Sequence, residues 1–247
     1  QASTIWRRTA SKRPAMLDPG AGSGEEEAMN RSEADILWEV ARVLARDAAH
    51  VSRADGRPLP NLPPLLFFTD PERTPRPWET AARLPPGSGV VFRSFGAADA
   101  LETGLRLREA TRRRGGLLLV GLDPDLAERL EADGVHLPER ALDRAPFLSA
   151  ARPDWRITGA VHSAKALASV EALDAAVLSP VFAAGGASAA RPSLGVRAFS
   201  DLVRSAPVPV YALGGVHGGN ARDLIGSGAC GLAGVSAIQA AFGPVDA

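Results

Sequence analysis

Eight short apolar runs follow one another after Leu65, with amphipathic stretches between them. The runs are LLFFT (65–69), GVVFR (89–93), GLLLV (116–120), DGVHL (133–137), WRITGAV (155–161), DAAVLS (174–179), VPVYAL (208–213) and CGLAGV (230–235). None alternates strictly between apolar and polar residues, which predicts strands buried on both faces, as in a parallel sheet. The intervening LETGLRLREATRRR, DLAERLEA, AKALASVEAL, VRAFSDLVRSA and NARDLIGSGA carry helical spacing. About eight strand–helix units in ~185 residues predict an α/β fold of the compact (β/α)8 TIM-barrel type. A doubly wound open sheet is the alternative. It needs a glycine-rich nucleotide loop after its first strand, where FFTDPERTPRP supplies prolines instead.

The barrel is expected over residues 61–247, preceded by an extension over 1–60. Residues 1–30 are rich in Gly, Ser, Ala and charge without sustained periodicity, and are expected to be mostly disordered. Met29 is a candidate translational start. Ser32 is placed to cap a helix with Asp35 in its first turn, and Ile36, Leu37, Val40, Val43 and Leu44 then recur at helical spacing. That stripe must cover either the outside of the barrel or a partner chain, so a homo-oligomer stays open. Residues 53–64 (RADGRPLPNLPP) form a proline-rich linker.

A formal net charge of +0 gives no sign of a nucleic-acid or membrane-surface partner. The run RRRGG (112–116) is expected to close a helix, where cations complement the dipole. The single cysteine, Cys230, excludes an internal disulfide and sits in an apolar run that suggests core packing. No apolar run approaches the ~20 residues needed to span a bilayer, and the first segment has no apolar h-region. A cytoplasmic protein is expected.

The runs near the C-terminus break in a particular way. Gly214 and Gly215 follow VPVYAL, where the missing side chains let backbone N–H groups approach an anion. Ser236 follows the last run and opens the helix SAIQAAF, whose first N–H groups have no partner within the helix. In such barrels the loops after strands 7 and 8 often hold phosphate. The partner predicted is therefore a phosphorylated small molecule; the bland alternative is that the glycines only turn the chain.

ADGVHL (132–137), TGAVHS (158–163), LSPVF (178–182), PSLG (192–195), PVYALGGV followed by Asn220, and GACGLAGVSAI (228–238) stand in an order that resembles the thiamine phosphate synthase/TenI (thiazole tautomerase) superfamily. FFTD at the start and Arg93 after the second run belong to the same series, so the resemblance covers roughly residues 65–240. It implies a (β/α)8 barrel in which Gly214, Gly215, Val235 and Ser236 hold the phosphate of a thiazole phosphate.

Several positions depart from the synthase pattern. A synthase must also hold an aminopyrimidine diphosphate with Mg²⁺ and cations while pyrophosphate leaves. Its Gln-x-Arg-x-Lys after strand 2 is here Val91, Phe92, Arg93, Ser94 and Phe95. Its Asn-Asp after strand 3 is Gly121-Leu122, with Asp123 one residue displaced; after GVHL the nearest acid is Glu139. Both acids also suit first-turn positions of the following helices. The Thr-x-Thr-Lys loop has become AAGGASAAR, with Arg191 as its cation.

Tautomerases of the superfamily carry a histidine after strand 5, here His162. Their reaction moves a proton to aromatise a thiazole carboxylate phosphate, with no metal or other cofactor. Imidazole suits it, because its ordinary pKa of ~6.5 permits proton uptake and release near neutrality. His162 as a helix-opening residue without chemistry is the other reading. His136 lies within GVHL, as a packed barrel residue or a substrate contact; His217 neighbours the phosphate glycines, and His50 lies outside the barrel. Nothing has zinc-ligand spacing or forms a serine nucleophile elbow.

Three functions follow. The first is a metal-independent tautomerase with His162 and Arg93 as catalytic residues, Arg93 facing the substrate carboxylate. The second is a thiamine phosphate synthase whose diphosphate site is rebuilt from Arg93, Asp123 and Arg191 around Mg²⁺. The third is a barrel that binds a phosphorylated ligand without turning it over.

Overall fold

Each of the eight apolar runs forms a strand. They are β1 (Leu65–Phe68), β2 (Gly89–Phe92), β3 (Leu117–Gly121), β4 (Gly134–Leu137), β5 (Arg156–Val161), β6 (Ala175–Leu178), β7 (Val210–Ala212) and β8 (Gly231–Gly234). Neighbours in this order pair in parallel, and β1 also pairs with β8, which closes the barrel. The computed structural model describes residues 31–54, 61–186 and 190–244. The expected disordered segment 1–30, with Met29, and residues 55–60 of the linker lie outside the described residues.

The strands bury both faces because their two sets of side chains meet different apolar neighbours. Leu66, Phe68, Val91, Leu119, Val177 and Tyr211 pack together in one cluster inside the barrel. Leu65, Phe67, Val90, Leu118 and Val120 belong to the larger layer shared with the helices. Two side chains meet the interior in unusual ways. The Tyr211 hydroxyl donates to the Pro63 carbonyl at 2.6 Å, and burial pushes the Cys230 thiol well above its ordinary pKa. Cys230 is therefore a packed, unreactive residue.

The N-terminal helix, Glu33–Ala54, begins as the sequence predicts. Asp35 N–H donates to Ser32 Oγ at 3.1 Å, and the Ser32 hydroxyl donates to Asp35 Oδ2 at 2.6 Å. Its buried residues are Leu37, Val40, Ala41 and Leu44, and they pack on β8, β1 and the 3-10 turn Ala221–Leu224. Burying each large aliphatic side chain is worth about 1.5–3 kcal/mol, so the stripe holds the helix to the barrel wall. Residues Ser32–Ala247 make one compact unit.

Some connections are shorter than their patterns suggest. NARDLIGSGA forms only the turn Ala221–Leu224, because Gly226 and Gly228 take φ of +82° and +87° and stop the helix. AKALASVEAL yields one turn, Ala164–Leu167, before the chain turns through Val170 into Leu173. Conversely, Pro77–Arg83 is a helix within a proline-rich stretch, with Pro77 in its first turn.

Candidate active site

The C-terminal ends of β6, β7 and β8 surround a cavity of about 480 Å³. Gly214 and Gly215 line it from the loop after β7, and Val235 and Ser236 from the end of β8. The glycines have φ of +99° and +66°. Their carbonyls are engaged within the rim: Gly214 O accepts from Phe182 N–H at 3.0 Å, and Gly215 O accepts from Asn220 Nδ2 at 2.8 Å. Asn220 Oδ1 accepts in turn from His217 N–H at 2.9 Å, so one side chain ties the loop at two points. Among the described residues no hydrogen bond engages the Gly214 or Gly215 N–H groups. Val235 precedes the helix Ser236–Phe242 and supplies no side-chain cap. Unpaired amides from two loops thus border one cavity, the arrangement an oxyanion needs.

Glu33, at the start of the N-terminal helix, reaches this rim. Its Oε1 accepts from Gly218 N–H at 3.0 Å, across 185 residues of sequence. Arg222 Nη2 meets Glu39 Oε2 at 3.4 Å beside it.

Two arginines line the same cavity, Arg73 and Arg93. Arg93 follows β2, and its Nε donates to the Thr69 carbonyl at 2.8 Å while its backbone N–H donates to Thr69 Oγ1 at 2.9 Å. Its guanidinium lies 5.6 Å from the Phe68 ring centre and 5.3 Å from that of Phe95. Burial lowers its pKa, and Asp70 works against that shift. A guanidinium nonetheless remains charged at any working pH. Arg73, on the loop after β1, is a site residue that sequence reasoning missed. The signal available was its place three residues after the aspartate of FFTD.

Three further ionisable groups, His136, Glu139 and His162, lie on β4 or directly after β4 and β5, and none is among the residues that line the cavity. His136 is 5% exposed, bonds Thr158 Oγ1 through Nδ1 at 2.9 Å and stacks edge-on against Phe68. Burial, reinforced by the positive fields of Arg93 and His162, pushes its pKa down to about 3. It is therefore neutral at working pH and unsuited to donating a proton as imidazolium. His162 follows β5, and its Nδ1 stands 3.0 Å from the Ser179 carbonyl and 3.1 Å from Ser179 Oγ. A carbonyl only accepts, so the network assigns the proton to Nδ1 and leaves the lone pair on Nε2. Glu139 Oε2 accepts the His162 backbone N–H at 2.6 Å, fixing the turn that carries the ring. Ser179 continues through Pro180 to Phe182, which donates to Gly214. His162 and the Gly214 loop are thereby linked through one short segment.

The other candidates lie elsewhere. Asp123 Oδ1 accepts from Leu126 N–H at 2.9 Å and caps the helix Pro124–Arg129. Arg191 is exposed and does not line the cavity. The two acids nearest the positions of the resemblance are each engaged through one carboxylate oxygen. Asp123 is engaged in its cap, and Glu139 is tied to the His162 turn. Gly121 occupies the position where the resemblance expects Asn; a Cβ there would lie 3.3 Å from Arg93 Cγ. Among the described residues no three His, Cys, Asp or Glu side chains gather as metal ligands.

A family model described as thiamine monophosphate synthase matches residues 80–238. The chain belongs to this family. A thiamine-phosphate synthase of Methanoculleus marisnigri is 34% identical over 142 residues, covering 57% of this chain and 67% of the relative. A putative thiamine-phosphate synthase 2 of Aquifex aeolicus is 32% identical, covering 53% and 70%. Among solved structures, the thiamine phosphate pyrophosphorylase of Pyrococcus furiosus superposes with a TM-score of 0.63 at 25% identity, covering 74% of this chain and 93% of that one. Membership of the thiamine monophosphate synthase family makes this a TIM barrel of thiamine biosynthesis. No helix among the described residues is long and apolar enough to cross a membrane.

Proposed function

We propose that this barrel binds a thiazole carboxylate phosphate and isomerises it by proton transfer, with His162 as the proton shuttle. The phosphate sits against the amides of Gly214, Gly215 and the Val235–Ser236 helix start. Arg93 faces the carboxylate. The observation that carries the reading is the His162 imidazole, held at Nδ1 by Ser179 so that Nε2 is the basic atom. One C–H bond breaks as Nε2 takes the proton, and another forms as the imidazolium returns it to a second carbon. Atoms and electrons balance without an added reactant. Arg93 stabilises the electron density that builds on the carboxylate between the two transfers.

The test is isomerisation by His162→Ala, with phosphate binding measured in parallel. General acid–base catalysis contributes roughly 10²–10⁴-fold, so turnover should fall by that factor while the ligand still binds. Unchanged turnover would remove the histidine from the mechanism, and no turnover by the intact protein would leave a binding barrel.

A second reading is favoured by the relatives, which are named as thiamine-phosphate synthases. Under it the chain couples an aminopyrimidine diphosphate to a thiazole phosphate and releases pyrophosphate. Mg²⁺-dependent pyrophosphate release from those two substrates distinguishes it from proton transfer.

A further inference from the structure

We propose that Arg73 is a substrate-binding residue and that Arg73 and Arg93 together receive one carboxylate on the ring of the phosphorylated ligand. The proposal rests on the phosphate cradle described above and adds the group that selects the rest of the ligand.

The turn after β1 is built to hold Arg73 in place. Asp70 Oδ1 accepts from the backbone N–H groups of Glu72 and Arg73, both at 3.2 Å. Thr74 closes the turn through its backbone N–H to Asp70 O at 2.9 Å and its hydroxyl to the same carbonyl at 2.8 Å. The Arg73 side chain then crosses to the loop after β6. A Cβ added to Gly186 would lie 2.8 Å from Arg73 Nη1, so the guanidinium lies flush against that glycine. Arg73 therefore spans two loops above the barrel mouth, and its side chain is 31% exposed.

Both guanidinium groups converge on a single carboxylate oxygen. Arg73 Nη2 lies 2.8 Å and Arg93 Nη2 3.5 Å from Asp70 Oδ2. Two arginines against one aspartate leave one positive charge uncompensated. Among the described residues that line the cavity there is no carboxylate, and the charged side chains are these two arginines. A phosphate at the backbone amides leaves the arginine pair matched to one further negative charge. A carboxylate supplies that charge in the planar, two-oxygen form a guanidinium recognises. A diphosphate brings roughly −3, more than this pair can balance.

The position also accounts for Phe95. Where the resemblance expects a lysine after β2, Phe95 lies against Arg93 instead. Arg73 returns a cation to the mouth from the other side, toward the phosphate cradle.

Binding, measured by calorimetry with two probes, tests this apart from turnover. The probes are a thiazole phosphate with a ring carboxylate and the same compound without it. The wild-type protein should prefer the carboxylated probe by about tenfold. Arg73→Ala and Arg73→Gln should lose roughly 10–100-fold for that probe and less than about threefold for the plain one. Arg73→Lys should recover part of the loss. Equal losses for both probes, or no loss, would overturn the proposal. So would a wild-type protein indifferent to the carboxylate, or one binding inorganic pyrophosphate more tightly than the carboxylated probe. Arg73→Gln keeps a polar side chain in the turn and guards against a folding defect in the alanine variant. A wild-type protein that binds neither probe refutes the phosphate cradle itself, and the carboxylate assignment falls with it.

Discussion

Replacing Gly214 with alanine separates two demands on the cradle, because Gly96 offers a control for one of them. Both glycines hold positive φ, +99° at Gly214 and +79° at Gly96. Nothing lies within 4 Å of a Cβ built at Gly96, so Gly96→Ala carries the backbone term alone, about 1–2 kcal/mol. At Gly214 the new Cβ would stand 2.7 Å from Pro180 Cα and 2.8 Å from Pro180 Cβ. Carbon atoms rest at about 3.5–4.0 Å, so the overlap is on the order of 1 Å. Pro180 Cα is main chain and cannot rotate away, which adds about 1–3 kcal/mol. The total for Gly214→Ala is about 2–5 kcal/mol. At roughly 2–4 °C per kcal/mol for a domain of this size, the midpoint should drop by about 4–20 °C. Thermal denaturation reads the first effect, and titration with inorganic phosphate followed by amide NMR reads the second. Gly96→Ala should bind phosphate as the wild type does; Gly214→Ala should not. If the two variants melt together and bind phosphate alike, Gly214 merely turns the chain.

Two further outcomes follow from groups beside the site. His136 has a pKa of about 3 in the folded protein against ~6.5 unfolded, so the unfolded chain takes up its proton first as pH falls. The contribution of His136 to stability is therefore complete above about pH 6.5. It is lost toward pH 3 at up to ~1.4 kcal/mol per unit. Urea denaturation at pH 7.5 and 4.5 should show a smaller acid loss in His136→Gln; parallel losses in both proteins would contradict this. Glu33→Ala removes the acceptor for Gly218 N–H and should weaken phosphate binding several-fold, since one hydrogen bond is worth about 0.5–1.5 kcal/mol net. Glu33→Gln keeps an acceptor oxygen and should bind normally; equal weakening in both variants would point to charge instead.

The barrel was legible because a strand buried on both faces leaves a short apolar run of its own, and eight of them appear in order. The position of the glycine-lined rim was legible for a related reason: the apolar runs of β7 and β8 break into paired glycines and a serine, and these residues line one cavity. Arg73 was not legible. Its role depends on Asp70 folding the turn back over the mouth, a contact between loops that no periodicity records. The docking of Leu37 and Leu44 on β8 was equally hidden, since their spacing predicts a helix and leaves its partner undefined. Asp123 had two readings in the sequence, and its bond to Leu126 N–H is that of a helix cap.

The wall that receives the N-terminal helix includes β8, the most C-terminal of the described strands. Roughly 190 residues separate the two, so at ~5–20 residues per second the apolar stripe waits on the order of 10–40 s for its surface to leave the ribosome. Until β8 emerges, the leucine and valine stripe lacks much of the wall that it covers in the folded protein.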